Sequence, residues 1–348
     1  MPTPSPPRAL MQSPSGGGNG ASGAGFRPPA GLGHRHLQSM ITQAPWRRRR
    51  VFRAAARLLA SARQELVDCG DGVRLQGFLS AATDARGLVV LLHGWEGSAD
   101  SSYVLSAGSA LLDAGFSVFR LNLRDHGDTH ALNEGLFHSC RIDEVFNAVL
   151  SIRERHPARR FAVVGQSLGG NFALRIAARA KARGLEIDRV LAVCPVLKPD
   201  STMRSLDQGL WIYRRYFLAR WRRSLAAKAA AFPARYEFGD LRRFSTLTAM
   251  TEFFVERFTE FASLGEYLNG YALTGDTLAA LGVPSRMIVA ADDPIIPAAD
   301  LELIAKPPAL ELTLAGRGGH CGFVDAWLGP SWIDREIVAD LGRQIGVQ

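Results

Sequence analysis

A serine held between two glycines is the first feature of this 348-residue chain that could do chemistry. In "FAVVGQSLGGNFALRIA", residues 161–177, Gly165 and Gly169 flank Ser167 at two residues' distance on either side. Phe161-Ala162-Val163-Val164 is a short continuous apolar run, the pattern of a strand buried on both faces. Asn171 to Ala180 sets apolar residues at helical spacing among strong helix formers. A strand that turns directly into a helix makes a tight, strained turn in which a Cβ at either flanking position would crowd the backbone. The hydroxyl is left at a helix N-terminus, at the carboxyl end of a strand. This is a G-x-S-x-G nucleophile elbow in the strand–turn–helix context that the motif requires.

A serine hydroxyl is a weak nucleophile at neutral pH and needs a base, itself oriented by a third group. The order expected with such an elbow is nucleophile, acid, base. A single histidine follows Ser167: His320, in "GRGGHCGF". Its glycine-rich loop follows the last predicted strand and can carry the imidazole to the elbow. The acid should end the preceding strand, where "MIVAADDPIIP" offers Asp292 and Asp293. Asp293 enters the Asp-Pro-x-x-Pro turn that leaves the strand and is the favoured acid; Asp292 is the alternative, as a turn cap or as the acid itself. An oxyanion would need preorganised donors, worth about 3 kcal/mol each. The backbone N–H of Leu168 is one, and that of Trp95, in "LLHGWEGS", is the expected second. His93 comes too early to be the base and reads as a brace for that loop. Asp125, His126, Asp128 and His130 in "RDHGDTH" could be read as metal ligands. Their place at the carboxyl edge of a strand makes this a pocket loop instead, so neither metal nor cofactor is expected.

These groups converge only if the strands carrying them lie in one sheet. "VRLQGFLS", "GLVVLLHGWEG", "FSVFRLNLRDHG", the run before Ser167, "RVLAVCP", "SRMIVAADDP" and "ALELTLAGRGGH" read as strands. Helical stretches such as "SSYVLSAGSALLDAG" and "IDEVFNAVLSIRERH" separate several of them. Such alternation predicts an α/β fold, a mostly parallel sheet covered by helices on both faces. From about Val196 to Leu281 the rhythm breaks into helical, aromatic sequence without a clear strand, the expectation for a lid inserted over the carboxyl edge.

The net charge of +8 suggests nucleic acid until it is located. Residues 1–64 hold ten arginines and no acidic residue, so +8 less ten leaves the remainder at −2. A near-neutral body argues against nucleic acid as a partner. Residues 1–32, with "SGGGNGASGAG", should be a disordered arm. Residues 33–64 should form a basic helical segment, with Val51 to Ala62 an amphipathic helix, largely solvated. The folded body is expected over 65–348. Cys69, Cys140, Cys194 and Cys321 show no pairing pattern. With no signal peptide and no transmembrane run, they indicate free thiols in a cytoplasmic setting.

The chain resembles the α/β-hydrolase superfamily, and within it the YheT-like branch of serine hydrolases and esterases, over roughly residues 30–345. "GQSLGGN", "ADDP" and "GGHCGF" are similar to that branch's nucleophile, acid and base segments. "GHRHLQSMI" resembles its His-Leu-Gln-Thr segment with Ser39 for threonine, and "HGWEGSADSSY" its His-Gly-Leu-Glu-Gly-Ser loop with Trp95 for leucine. "RDHGDTHALNEGLFHS" departs from the branch's usual Arg-Gly-Cys/Ser-x-Gly loop. The resemblance implies a cofactor-free serine esterase using Ser167, His320 and Asp293 on a small-molecule ester. The aromatic insertion favours an apolar acyl chain. Acyl transfer on the same groups is the alternative, as is a silent hydrolase fold used for binding at a membrane. The basic arm or "YRRYFLARWRRS" leaves a peripheral membrane contact open.

Overall fold

Runs of five or six wholly buried residues make the centre of the sheet: β3 (Leu88–Leu92), β5 (Phe161–Gln166), β6 (Arg189–Val193) and β7 (Ser285–Ala290). β1 (Ala62–Asp68), β2 (Arg74–Ser80), β4 (Ser117–Leu121) and β8 (Leu310–Ala315) complete eight strands in the order β1-β2-β4-β3-β5-β6-β7-β8. β1 and β2 pair antiparallel, as do β2 and β4; every other pair is parallel. The computed structural model describes residues 25–327 and 329–343.

Successive residues of a strand point to opposite faces, and the core divides accordingly. Val90, Leu92 and Val163 face α5 (Ile142–Arg155) and α6 (Leu168–Ala180), with Phe146 and Phe172 against them. Val89, Leu91 and Val164 face α4 (Ser102–Asp113) and α11 (Trp332–Arg343), with Leu105 and Ile337. The sheet is therefore covered on both faces, as the alternation of strands and helices predicts.

The N-terminal region departs from expectation. The arm expected to be disordered through residue 32 lies outside the described residues up to 24, but from Phe26 it meets the domain. Phe26 is buried against Phe323 and Trp332 at 5.5 and 5.6 Å between centroids, and Leu32 is wholly buried. The basic segment is three short helices, α1 (Arg35–Ile41), α2 (Pro45–Ala54) and α3 (Ala56–Ala60), and β1 begins at Ala62, before the expected start of the body at 65. Nor is it simply solvated. Arg47 is buried and donates to the carbonyls of Ala326 and Trp327, while Arg48, Arg49 and Arg50 stay exposed.

Between β6 and β7 stand α7 (Pro199–Gln208), α8 (Trp211–Ala231), α9 (Leu247–Phe258) and α10 (Leu264–Gly270). One buried cation pins them to the body. Lys228 of α8, wholly buried, donates to Asp125 Oδ1 at 2.8 Å and to the carbonyls of Asn133 and Gly135 at 2.5 and 3.0 Å. Removing one partner of a buried pair leaves an uncompensated charge and costs about 3–5 kcal/mol. Lys228→Met should therefore lower unfolding stability by that order in urea titrations. Breaking the exposed Arg57–Asp113 pair should be hardly measurable.

Candidate active site

Ser167 sits at the junction of β5 and α6 with φ 55° and ψ −119°, a backbone that a non-glycine residue adopts only under constraint. The constraint is packing. A Cβ on Gly165 would stand 2.1 Å from the Gly169 carbonyl oxygen, and one on Gly169 would stand 2.2 Å from that of Leu92. Both positions admit glycine alone. The turn projects the hydroxyl beyond the carboxyl edge of the sheet.

Two further loops reach it. His320, after β8, lies with Nε2 3.0 Å from Ser167 Oγ and Nδ1 2.9 Å from Asp293 Oδ2. With Asp293 ionised, Nδ1 carries the proton and donates to the carboxylate, so Nε2 accepts from the serine hydroxyl. The other oxygen of Asp293 accepts from the amides of Ile295 and Ile296 at 2.8 and 2.9 Å, which fixes the carboxylate plane. Asp292 points elsewhere: its Oδ1 accepts from the Gly319 N–H at 2.9 Å, steadying the histidine loop from below. Burial would lower the His320 imidazole, but Asp293 and Cys321 beside it outweigh burial and raise it well above its ordinary value, so the neutral ring that accepts from Ser167 is the form reached as the pH rises.

The profile of the alpha/beta hydrolase fold family matches residues 87–326. This chain belongs to that family. Over 213 residues it is 26% identical to the monoacylglycerol lipase ABHD2 of Danio rerio, covering 56% of this chain and 50% of that protein. The Homo sapiens protein of that name is also 26% identical, over 215 residues, with the same coverage. The chain spans about half the length of the curated relatives it matches. Among solved structures, an esterase from Pyrococcus furiosus superposes with a TM-score of 0.56 at 16% identity, covering 82% of this chain and 91% of that one. A membrane phospholipase A, described as a bacterial virulence factor, gives 0.54 at 15% identity over 89% and 93%. At such identities the likeness is one of fold.

The loop after β3 brings His93-Gly94-Trp95 against the elbow; a Cβ on Gly94 would lie 3.2 Å from that of Ser167. The amides around Trp95 are engaged, Gly94 N–H to the Tyr103 hydroxyl at 2.8 Å and Glu96 N–H to His126 Nε2 at 3.0 Å. His93 is a neutral brace: Nδ1 donates to the Gly94 carbonyl at 2.8 Å, Nε2 accepts from Leu123 N–H at 3.1 Å, and burial lowers it to about 4. The Leu168 amide opens α6 behind the serine, where helix N–H groups lack carbonyl partners.

The four polar residues of "RDHGDTH" do not converge as a ligand set. Asp125 is held by Lys228, His126 donates from Nδ1 to the Arg124 carbonyl, and His130 lies 2.9 Å from the Ser224 hydroxyl. Beside them the structure brings forward roles that no local sequence pattern shows. Burial pushes the Glu96 carboxyl up to about 7, against the pull of Arg220 and with Asp125 adding to the rise. Ser39 of α1 accepts from the His320 N–H and donates to the Arg35 carbonyl, each at 2.8 Å. Gln38, wholly buried, bonds both the N–H and the carbonyl of Val324. The N-terminal helices thus clasp the loop that carries His320.

Ser167 and His320 open into a cavity of about 410 Å³. Its far wall comes from the helical insertion: Tyr213, Tyr216, Phe217, Trp221, Phe254 and Phe258 line it. Trp95 lies flat on Phe217 at 5.3 Å, so its indole is part of the same wall. Of the other aromatics in this region, Phe253 packs on Phe244 within the insertion and Trp211 is exposed. Among the described residues no helix is long and apolar enough to cross a membrane.

Proposed function

We propose that the protein is a serine esterase in which Ser167 is the nucleophile, His320 the general base and then acid, and Asp293 the residue that holds the imidazolium. The observation that carries this reading is the hydrogen-bonded row from Ser167 through His320 to Asp293 at the floor of an aromatic cavity. His320 Nε2 takes the hydroxyl proton as Ser167 Oγ adds to the ester carbonyl. The oxyanion is received by the amides of Leu168 and Trp95. Collapse expels the alcohol with the proton from Nε2, and water repeats the sequence on the acyl-enzyme. The cavity's apolar wall favours a medium-length acyl chain or a lipid-like ester, in keeping with the monoacylglycerol lipases among the relatives. Labelling with a fluorophosphonate tests this directly: the intact chain should react and Ser167→Ala should not. Labelling of both, or of neither, overturns the reading.

Within it Ser39 is a positioning residue. Loss of a hydrogen bond of this kind costs about 0.5–1.5 kcal/mol. Ser39→Ala should reduce kcat by a few-fold to about tenfold with little change in Tm, and Ser39→Thr, which restores the hydroxyl, should recover it.

The reading extends to delivery of the ester from a membrane surface. Ile212 and Tyr216, at the start of α8, line the cavity and are also exposed. Trp211 beside them is 59% exposed, and Arg214 and Arg215 follow in sequence. Aromatic and cationic side chains together suit an anionic bilayer interface. Cosedimentation with phosphatidylserine vesicles should fall in Trp211→Glu; binding unchanged by that substitution removes this part of the reading.

A further inference from the structure

Two of the four free thiols meet at the base of the active site. Cys194 directly follows β6 in the left-handed region at φ 42°, and Cys321 follows His320 at φ 53°. The Cys321 N–H donates to the Cys194 sulfur at 3.5 Å, and Cys321 Sγ lies 3.9 Å from His320 Nε2. The two sulfurs and one imidazole nitrogen all fall within 4.8 Å of one another. Tetrahedral zinc, with Zn–S about 2.3 Å and Zn–N about 2.0 Å, holds such atoms on the order of 3.5–3.8 Å apart. The Cys321 sulfur and His320 Nε2 are thus within a few tenths of an ångström of their spacing around zinc, and the remaining separations, at most 4.8 Å, close by a side-chain adjustment of about an ångström. Cys321 and His320 line the cavity, so an ion can enter from it, with Cys194 buried behind them.

We propose that Cys194, Cys321 and His320 form an inhibitory site for zinc. Two thiols and an imidazole select a borderline-soft cation over magnesium or calcium. The thiols release their protons to solvent as they ligate, and the fourth position faces the cavity, open to water or Ser167 Oγ. Nε2 is the atom that lies 3.0 Å from Ser167 Oγ. A metal on its lone pair leaves the serine without a base, so the ion inhibits and is not a catalytic cofactor. The inhibition, though not the binding, rests on the serine-esterase reading.

The test uses the full chain kept reduced with a phosphine. Zinc should inhibit ester hydrolysis and EDTA should restore it, while magnesium should have no effect. Loss of an outer-shell partner costs about 10–100-fold in metal affinity, and loss of a ligand at least as much. The inhibition constant for zinc should therefore rise by roughly 100-fold or more in Cys321→Ala, each variant being compared with its own uninhibited rate. Binding is read separately with cobalt(II) on Ser167→Ala, which needs no turnover. A thiolate-to-cobalt charge-transfer band should appear in the near ultraviolet and vanish in Ser167→Ala/Cys321→Ala. Cys194→Ser, which keeps the volume if alanine disturbs the core, should weaken that band. An absent band, or inhibition that Cys321→Ala leaves unchanged, overturns the proposal. A band without hydrolysis in the intact chain would instead keep the metal site and remove the esterase reading.

Discussion

Ser167→Ala and His320→Ala should each reduce hydrolysis of a medium-chain p-nitrophenyl ester by several orders of magnitude, up to about 10⁶ in kcat. The double variant should be hardly slower than either single one. The expectation follows from how the two groups act. The hydroxyl reacts only as its proton leaves, and the acceptor of that proton is the imidazole 3.0 Å away. Without the imidazole the serine is an ordinary alcohol; without the serine the imidazole has nothing to activate. Their free energies are therefore not additive, and what survives in both variants is the contribution of the oxyanion donors and of binding. Both side chains lie at the cavity floor, outside the main hydrophobic clusters. Far-ultraviolet circular dichroism and Tm should stay close to those of the parent. Ser167→Ala relieves no strain, because alanine is no more at ease than serine at φ 55°. A Ser167→Ala protein that keeps most of its turnover would place the nucleophile elsewhere.

Local signals carried the parts of the fold that local physics decides. The central strands are legible because burial on both faces leaves continuous apolar runs, and the elbow because two glycines and a serine must adjoin such a run. β1 was hidden by its edge position. "ARQELVD" buries only alternate residues, and one of those is Glu65, paired with Arg155 at the end of α5 and with His156 just beyond it. Its pattern therefore merges with the arginine-rich helix before it. The burial of Phe26 and Leu32 was equally invisible, since a Pro/Gly-rich stretch carries no period and these residues are held by the far end of the chain. The same limit applies to the support of the histidine loop. The bond from His320 N–H to Ser39 spans 281 residues, and that from Gln38 to Val324 spans 286. Only the likeness of "HLQS" to a known segment pointed there, and it said nothing of what the segment touches. Cys194 and Cys321, 127 residues apart, read as unrelated thiols until the sheet brought them together.

The two adjacent aspartates should separate cleanly, with Asp293→Asn losing about 10⁴ in rate while remaining folded. The carboxylate of Asp293 does two things for His320. It accepts the Nδ1 proton at 2.9 Å, which leaves Nε2 free to take the serine's, and it balances the imidazolium formed in the transition state. An asparagine in its place can turn its NH₂ toward Nδ1, which selects the other tautomer and puts the proton on Nε2. The amide oxygen still faces the N–H groups of Ile295 and Ile296, so the turn keeps its acceptor and stability should change little. Asp292 has a different task. Its Oδ1 accepts from the Gly319 N–H, a neutral donor that an amide oxygen can also serve. Asp292→Asn should therefore retain most activity, whereas Asp292→Ala, which leaves that N–H without its acceptor, should lower Tm and reduce turnover by loosening the loop. The pair of measurements, kcat and Tm on all three variants, is decisive because the neighbours differ in which readout they move. Asp293 acts on the rate with the fold intact, and Asp292 acts on the loop and through it on the rate. A dead Asp292→Asn beside an active Asp293→Asn would exchange the roles of the two carboxylates, although only one of them lies within hydrogen-bond reach of the imidazole.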